Sequence, residues 1–420
     1  MDDSNLQKTN PRLLYRLNAL RLLHQIGTEL YFLGVKIASL WHKKAKLFME
    51  GRKYIWNKVQ DFNPGNNDVF WFHCASLGEF EQARPLIEQL KKDKTCKIVV
   101  TFFSPSGYEI RKNYSQADLI IYLPKDSKSN ATRFLNHIKP TKIFFIKYEF
   151  WPNFLLEAQK KQIPTFLVSG VFRENQIFFK WYGGFMRTIL KSFSGIFLQN
   201  ENSKTLLDSI KIKSKLIGDT RFDRVMENAE SVKPFPFIER FIDNKQTIVV
   251  GSCWAEDEVV VFPVLNEIAN LKIIIAPHEL GETHFKSIES NLTKKTIRYS
   301  QLKNSQNASD FDVLIIDNIG MLMHLYQYAT VSYIGGAYGK GLHNILEPAS
   351  FGVPVIFGNK YAKFPEAFQF IDEKIGFSIN NPSEFKNILN DLLKKDLKSD
   401  VLHFMNNHKG ATDKILTEIF

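Results

Sequence analysis

From about residue 60 onward, short apolar runs alternate with segments of helical periodicity. The runs Val69–Ala75, Lys97–Phe103, Leu119–Leu123, Lys142–Tyr148, Thr165–Ser169 and Gly195–Gln199 are rich in Ile, Val and Phe and are bounded by turn residues. A second series follows at Thr247–Gly251, Lys272–Ala276, Val313–Asp317, Val331–Gly335 and Val353–Phe357. Continuous rather than alternating apolar runs, separated by helix-length stretches, predict βαβ units with parallel strands buried on both faces. Between the two series Ser231–Ile238 carries Pro234 and Pro236 and breaks both periodicities, as a linker does. The expected plan is α/β: a segment 1–53, a first Rossmann-like domain 54–230, a linker 231–246 and a second Rossmann-like domain 247–420. Strand C-termini of both sheets are expected to face a shared cleft.

Residues 1–53 depart from that pattern. They hold ten Lys/Arg against four Asp/Glu, whereas the whole chain has 55 against 44. Leu, Tyr, Phe and Trp side chains are interleaved with the charges, and the longest uncharged apolar run, Leu30–Val35, is far too short to span a bilayer. No signal peptide is evident, since Asp2 and Asp3 follow Met1. The segment reads either as an interfacial anchor with Trp41 and His42-Lys43-Lys44 at headgroup level, or as a first helix packed on the core. At 44% apolar and 24% charged residues the chain is globular. Its three cysteines are widely separated, so they suit a reducing compartment and neither a disulfide framework nor a zinc site.

Three places combine a strand end with chemistry. In Cys74-Ala-Ser-Leu-Gly-Glu79 a strand gives way to a helix; Ser76 and Glu79 form a capping-box signature, while Gly78 opens room and Glu79 is placed as a general base. A helix N-terminus would favour its ionised form. Glu149 follows another strand and is costly to bury there unless it meets a ligand, solvent or an ion-pair partner such as Lys147. Between them Thr101–Tyr108 supplies hydroxyls, Ser106 among them, for an acceptor pocket or a helix cap. The third place is Ile334-Gly-Gly-Ala-Tyr-Gly-Lys-Gly-Leu-His343-Asn344-Ile-Leu-Glu347-Pro. Gly335, Gly336 and Gly341 would let backbone amides approach an anion at the next helix, with Asn344 and Glu347 on one face of it. The spacing is neither that of a dinucleotide fingerprint nor that of a P-loop.

Taken in order, Phe72-His-Cys-Ala-Ser-Leu-Gly-Glu79, Ser106-Gly-Tyr-Glu109, Glu149-Phe-Trp-Pro-Asn153, Gly218-Asp-Thr-Arg-Phe-Asp223 and the Gly335–Pro348 loop resemble the 3-deoxy-D-manno-octulosonic acid (Kdo) transferases. The resemblance runs from about residue 10 to the C-terminus. It implies a GT-B glycosyltransferase, inverting and metal-independent with no cofactor, that moves Kdo from CMP-Kdo to a lipid A precursor at the cytoplasmic face of the inner membrane. It assigns the base to Glu79, the second carboxylate to Glu149 and the CMP pair to Asn344 and Glu347. Substrate contacts are further expected at Ser76, Gly78, Ser106, Arg221, Ser252, His278, Gly335, Gly336, Gly341 and His343. The chain departs from the family at Lys147 (usually Glu), at Ser169-Gly170-Val171 (Asn-Ala-Arg), at Arg221 (Lys) and at Pro277-His278-Glu279 (Pro-Arg-His). No D-x-D motif is placed to hold a metal. The expected partners are CMP-Kdo, the lipid A precursor and an anionic membrane surface. No RNA-recognition pattern is present, so nucleic acid is not expected. Two alternatives are a GT-B enzyme using a UDP-sugar, such as a lipid A disaccharide synthase, and a non-catalytic basic protein that binds membrane or RNA.

Overall fold

The computed structural model describes residues 11–302 and 307–420, with side chains from residue 20 onward. Residues 1–10 and the side chains of Arg12, Leu14, Tyr15 and Arg16, part of the expected anchor, lie outside the described residues. The chain divides into two compact units. The first runs to Arg224 and includes Gly410–Phe420, and the second is Val225–Lys409.

In the first unit the strands are β1 (Asp68–Cys74), β2 (Cys96–Phe102), β3 (Leu119–Tyr122), β4 (Lys142–Ile146), β5 (Thr165–Gly170), β6 (Gly195–Leu198) and β7 (Lys215–Leu216). They form one sheet in the order β3-β2-β1-β4-β5-β6-β7, and every pairing is parallel. The central strands are buried along almost their whole length, as parallel strands under helices must be. Aromatic side chains fill this core: Phe72 and Phe144 stack at 4.4 Å across β1 and β4, and Trp71 meets Phe134, Phe145 and Phe154 edge-on.

The second unit holds β8 (Thr247–Cys253), β9 (Lys272–Pro277), β10 (Thr296–Arg298), β11 (Val313–Ile315), β12 (Val331–Ile334), β13 (Val355–Gly358) and β14 (Gly376–Ile379). Their order is β10-β11-β9-β8-β12-β13-β14, again all parallel, around a core of Ile, Val and Leu.

Two expected boundaries shift. The division falls after Arg224, inside the helix Thr220–Glu230, and the expected linker contains a helix, Pro236–Ile242. Pro236 stands in its first turn, where a missing N–H costs nothing. The last helix, Ala411–Ile419, belongs to the first unit and not to the second. Asp223 captures its start by accepting the N–H groups of Gly410 and Thr412; Ile415 joins the first core, and the half-exposed Phe420 meets Phe70 edge-on.

The first helix, Pro11–Ala38, inverts the usual distribution of side chains. Its inward stripe is polar for two turns: Arg21 donates to Asn153 at 2.5 Å and pairs with Glu157, and His24 lies 2.8 Å from the buried carboxylate of Asp126. Its outward positions are apolar, with Leu22, Leu23 and Leu30 each about 60% exposed and Leu40 and Trp41 beyond the helix more so. Farther along, Phe32 turns inward onto the buried Phe48, with ring centres 5.5 Å apart, so the helix packs on the first unit while presenting an apolar outer face. No helix among the described residues is long and apolar enough to cross a membrane.

Candidate active site

In an open parallel sheet the crevice at the carboxyl ends lies where the strand order reverses. In the first unit that point is between β1 and β4, paired from Phe70–Lys142 to His73–Phe145. The loops leaving these two strands carry Glu79 and Glu149, so the topology places both expected carboxylates at one switch point.

Glu79 is the third residue of the helix Leu77–Asp93 and is only 4% exposed. Its carboxylate turns back to accept the Ala75 N–H. Ser76 is the N-cap but makes no side-chain cap bond, so the expected capping box is realised only from the glutamate side. Burial, reinforced by the charge of Glu149, pushes the Glu79 carboxyl up from 4.5 to about 8; the Ala75 and Ser76 amides and Lys147 pull the other way without prevailing. The expected net stabilisation of the ionised form is thus reversed, because desolvation at this depth outweighs the helix terminus.

Glu149 is held by an aromatic and imidazole frame. The Trp151 indole N–H lies 2.8 Å from Glu149 Oε2, and His73 Nε2 lies 3.3 Å from the same oxygen. His73 is fully buried, and its Nδ1 is 2.8 Å from Thr101 Oγ1, which in turn accepts the Trp71 indole N–H at 2.8 Å. A continuous polar chain Trp71–Thr101–His73 therefore runs through the sheet and ends on Glu149. Lys147, between the strand and Glu149, adopts φ 68°, a left-handed conformation that costs a non-glycine residue about 1 kcal/mol or more and so marks a position the surroundings enforce.

The remaining expected residues of this unit cluster nearby with one exception. Ser104 donates its N–H to Ala75 O at 2.7 Å, and the Ser104 and Ser106 hydroxyls are 3.0 Å apart. Gly107 is required there, since a Cβ would stand 2.4 Å from Phe102 and 3.0 Å from the Ser76 backbone. Gly78 has no atom within 4 Å of where its Cβ would be, which leaves the space beside Glu79 open. Arg221 pairs with Asp219 at 2.7 Å, and its motif is in large part structural: the Thr220 hydroxyl bonds Gln82 O and Asp223 holds the last helix.

In the second unit the order reverses between β8 and β12; Ser252 lies at the end of β8, the Gly335–Glu347 segment follows β12, and His278 follows the neighbouring β9. Ser252 has φ 52° at a register shift in β8, and its carbonyl would be 2.3 Å from a Cβ on Gly335. Asp257, buried, accepts the Trp254 and Gly336 N–H groups at 2.9 Å and the Tyr333 hydroxyl at 2.7 Å, which staples the glycine loop to β8. The loop amides differ from expectation. Those of Gly335, Gly336, Gly339, Gly341 and His343 all donate within the unit, so these glycines serve close backbone approach rather than an open anion cradle.

Asn344 and Glu347 also meet differently than on a shared helical face. The helix is a single turn, Leu346–Ala349, too short for a strong dipole, and Asn344 precedes it, donating to Glu347 Oε1 at 3.1 Å. His343 and Trp254 lie almost coplanar, joined by a 3.1 Å N–H···N bond, and His278 stacks on Trp254 at 4.1 Å. Burial beside His278 lowers His343 to about 4, so it is neutral. Sequence reasoning missed His73, Trp151, Trp254 and Asp257, and it took Thr101 only as a hydroxyl for an acceptor pocket or a helix cap, not as the partner of His73. Only Asp257, a carboxylate in the first turn of the helix Ala255–Glu267, carries a local signal.

Residues 49–224 match the family model described as 3-deoxy-D-manno-octulosonic-acid transferase. A 3-deoxy-D-manno-octulosonic acid transferase of Rickettsia bellii is 28% identical over 97% of this chain and 99% of its own length. A bifunctional glycosyltransferase/methyltransferase of Fusobacterium nucleatum subsp. nucleatum is 28% identical over 87% of this chain, which spans 57% of that relative. Among solved structures, the UDP-GlcNAc 2-epimerase of Neisseria meningitidis superposes with a TM-score of 0.58 at 18% identity, covering 84% of this chain and 98% of that one. The structural likeness shows the fold, which is of the GT-B class with two Rossmann-like units. With the ordered motifs and the switch-point carboxylates, these matches make the chain similar along most of its length to the Kdo transferases, a family of glycosyltransferases.

Proposed function

We propose that the protein transfers Kdo from CMP-Kdo to a lipid A precursor, with inversion and without a metal. The observation that carries this reading is the pair Glu79 and Glu149 at the switch point of the Kdo-transferase domain. A hydroxyl of the acceptor glucosamine gives its proton to Glu79 as its oxygen bonds to the anomeric carbon of Kdo. The bond from that carbon to the phosphate oxygen breaks with its electron pair on CMP, and a single displacement inverts the centre. A carboxylate tuned toward the working pH is matched to this task. Glu149, fixed by His73 and Trp151, supports charge that builds at the reacting carbon.

The donor is assigned to the second unit, with Asn344 and Glu347 on the nucleotide. Since five loop amides are internally bonded, side chains take the larger share of the phosphate charge: Lys340, over Trp254 at 5.4 Å, together with Ser252 and His278. The exposed apolar residues of the first helix, beside Lys36, Lys43, Lys44 and Lys46, support peripheral binding to an anionic inner-membrane surface on its cytoplasmic side. The test is incubation with CMP-Kdo and lipid IVA in the presence of EDTA, followed by mass spectrometry of the lipid. A gain of one or more Kdo masses is expected. Unchanged lipid, or transfer only with added Mg²⁺ or from a UDP-sugar, overturns the reading.

A further inference from the structure

A groove runs along the first helix in two lobes. The inner lobe, about 400 Å³, lies among Gly27, Tyr31 and Phe32 of the helix and Phe103 and Trp151 opposite. The outer lobe, about 270 Å³, continues past the stacked pair Tyr31 and Phe103 to Val35, His42 and Lys44. The walls are apolar and aromatic. From His24 to Val35 the helix offers a length of about 16 Å at 1.5 Å per residue. One end closes on Trp151, whose indole N–H bonds Glu149. The other reaches His42 and Lys44, next in sequence to the exposed Leu40 and Trp41.

We infer that this groove is an acyl-chain subsite for the acceptor lipid, an inference that rests on the proposed function. A ligand filling it must present its polar end beside Glu149 and an apolar body along the helix, as an acylated sugar does. The groove is also built for an anionic amphiphile. His42 and Lys44 stand at the outer mouth, and the Arg52 guanidinium lies 3.5 Å from the Phe48 ring centre and 5.2 Å from that of Phe103. Arg52 further donates to the Phe48 and Phe103 carbonyls at 3.0 and 2.8 Å, which fixes both walls before any ligand arrives. A chain threaded here orients the sugar at the carboxylates and extends toward the bilayer that holds its other chains. A preformed apolar slot with charge at its mouth needs little reorganisation to bind.

Gly27 offers a clean test. No atom lies within 4 Å of its absent Cβ, so Gly27→Leu projects into open groove, and leucine is the better helix former. Leu33→Phe, at an exposed position that lines neither lobe, is the control. KM is measured for lipid IVA and for the same phosphorylated disaccharide after complete deacylation. Gly27→Leu should raise KM for lipid IVA about tenfold or more, the scale of withdrawing a few methylenes from an apolar site, and leave the deacylated acceptor unchanged. Leu33→Phe should alter neither. An equal effect on both acceptors, or none, overturns the subsite; so does a loss confined to binding of phospholipid vesicles, which would make the occupant bilayer lipid. A fluorescent dodecanoic acid, titrated as monomer, decides the groove even if neither acceptor is turned over. Weaker binding in Gly27→Leu alone sustains an acyl site, and equal binding in all three proteins removes it.

Discussion

Glu79 and Glu149 bring like charges to one crevice, and burial forces one of them to hold a proton at neutral pH. This predicts how the enzyme responds to pH and to substitution. A base must be ionised, so turnover should climb as pH rises toward about 8. Stability should run the other way. Between about 4.5 and 8 the folded protein binds a proton at Glu79 that the unfolded chain has released, so stability falls with rising pH through this window. Thermal unfolding followed across the window should show that slope in the wild type and a shallower one in Glu79→Gln. A second residue-scale prediction concerns Gly78. Gly78→Ala should add up to about 1 kcal/mol of stability as a helix residue, yet lower kcat/KM, because the open space beside Glu79 is meant for substrate. Unimpaired turnover would return that glycine to a purely local role. Both carboxylates were legible in the sequence, one from its position after a strand and before a helix, the other as a charge ending an apolar run. Their holders were not. His73 reads as an ordinary strand residue and Thr101 as a hydroxyl for a pocket or a cap, until β1 pairs with β2 and β4 and joins Thr101 to His73 and His73 to Glu149.

Among the elements, long central strands were readable because burial on both faces leaves an uninterrupted apolar run. The strands that escaped, β7, β10 and β14, all lie at sheet edges. β7 is two exposed residues, and β10, Thr-Ile-Arg, has one buried side chain between two partly exposed ones. The first helix was legible as basic and apolar, but which face turned inward was not, since its partners Asp126, Asn153 and Glu157 are more than a hundred residues away. The inversion yields a prediction. Leu23→Glu with Leu30→Glu should cut co-sedimentation with anionic liposomes several-fold and leave the unfolding temperature unchanged, because both side chains face outward. High salt should weaken the remaining binding. A variant that sediments like the wild type would place the membrane contact on another surface. Deleting the helix is a poorer test, because it strips His24 from Asp126 and Arg21 from Asn153.

For the whole molecule, two parallel sheets differ in core chemistry, aromatic-rich in the first unit and rich in Ile and Val in the second, and the proposed function assigns the acceptor machinery to the first and the donor loop to the second. The glycine loop shows where pattern misleads. Its spacing suggested an open anion cradle, whereas Gly335 and Gly336 are there because Ser252, Asp257 and the loop itself crowd them. On the proposed function, nucleotide recognition falls to side chains, and Glu347→Ala should weaken CMP binding by about 1–3 kcal/mol in calorimetry, with UMP bound more weakly than CMP by the wild type. Unchanged affinity would remove the donor assignment from this loop. The most direct measurement of the central claim is single-turnover transfer from CMP-Kdo to lipid IVA, in EDTA, by the wild type and by Glu79→Gln. The account predicts a Kdo-bearing lipid from the wild type and a rate about 10²-fold lower or more from a folded Glu79→Gln that still binds CMP normally. Equal rates from the two proteins would contradict it.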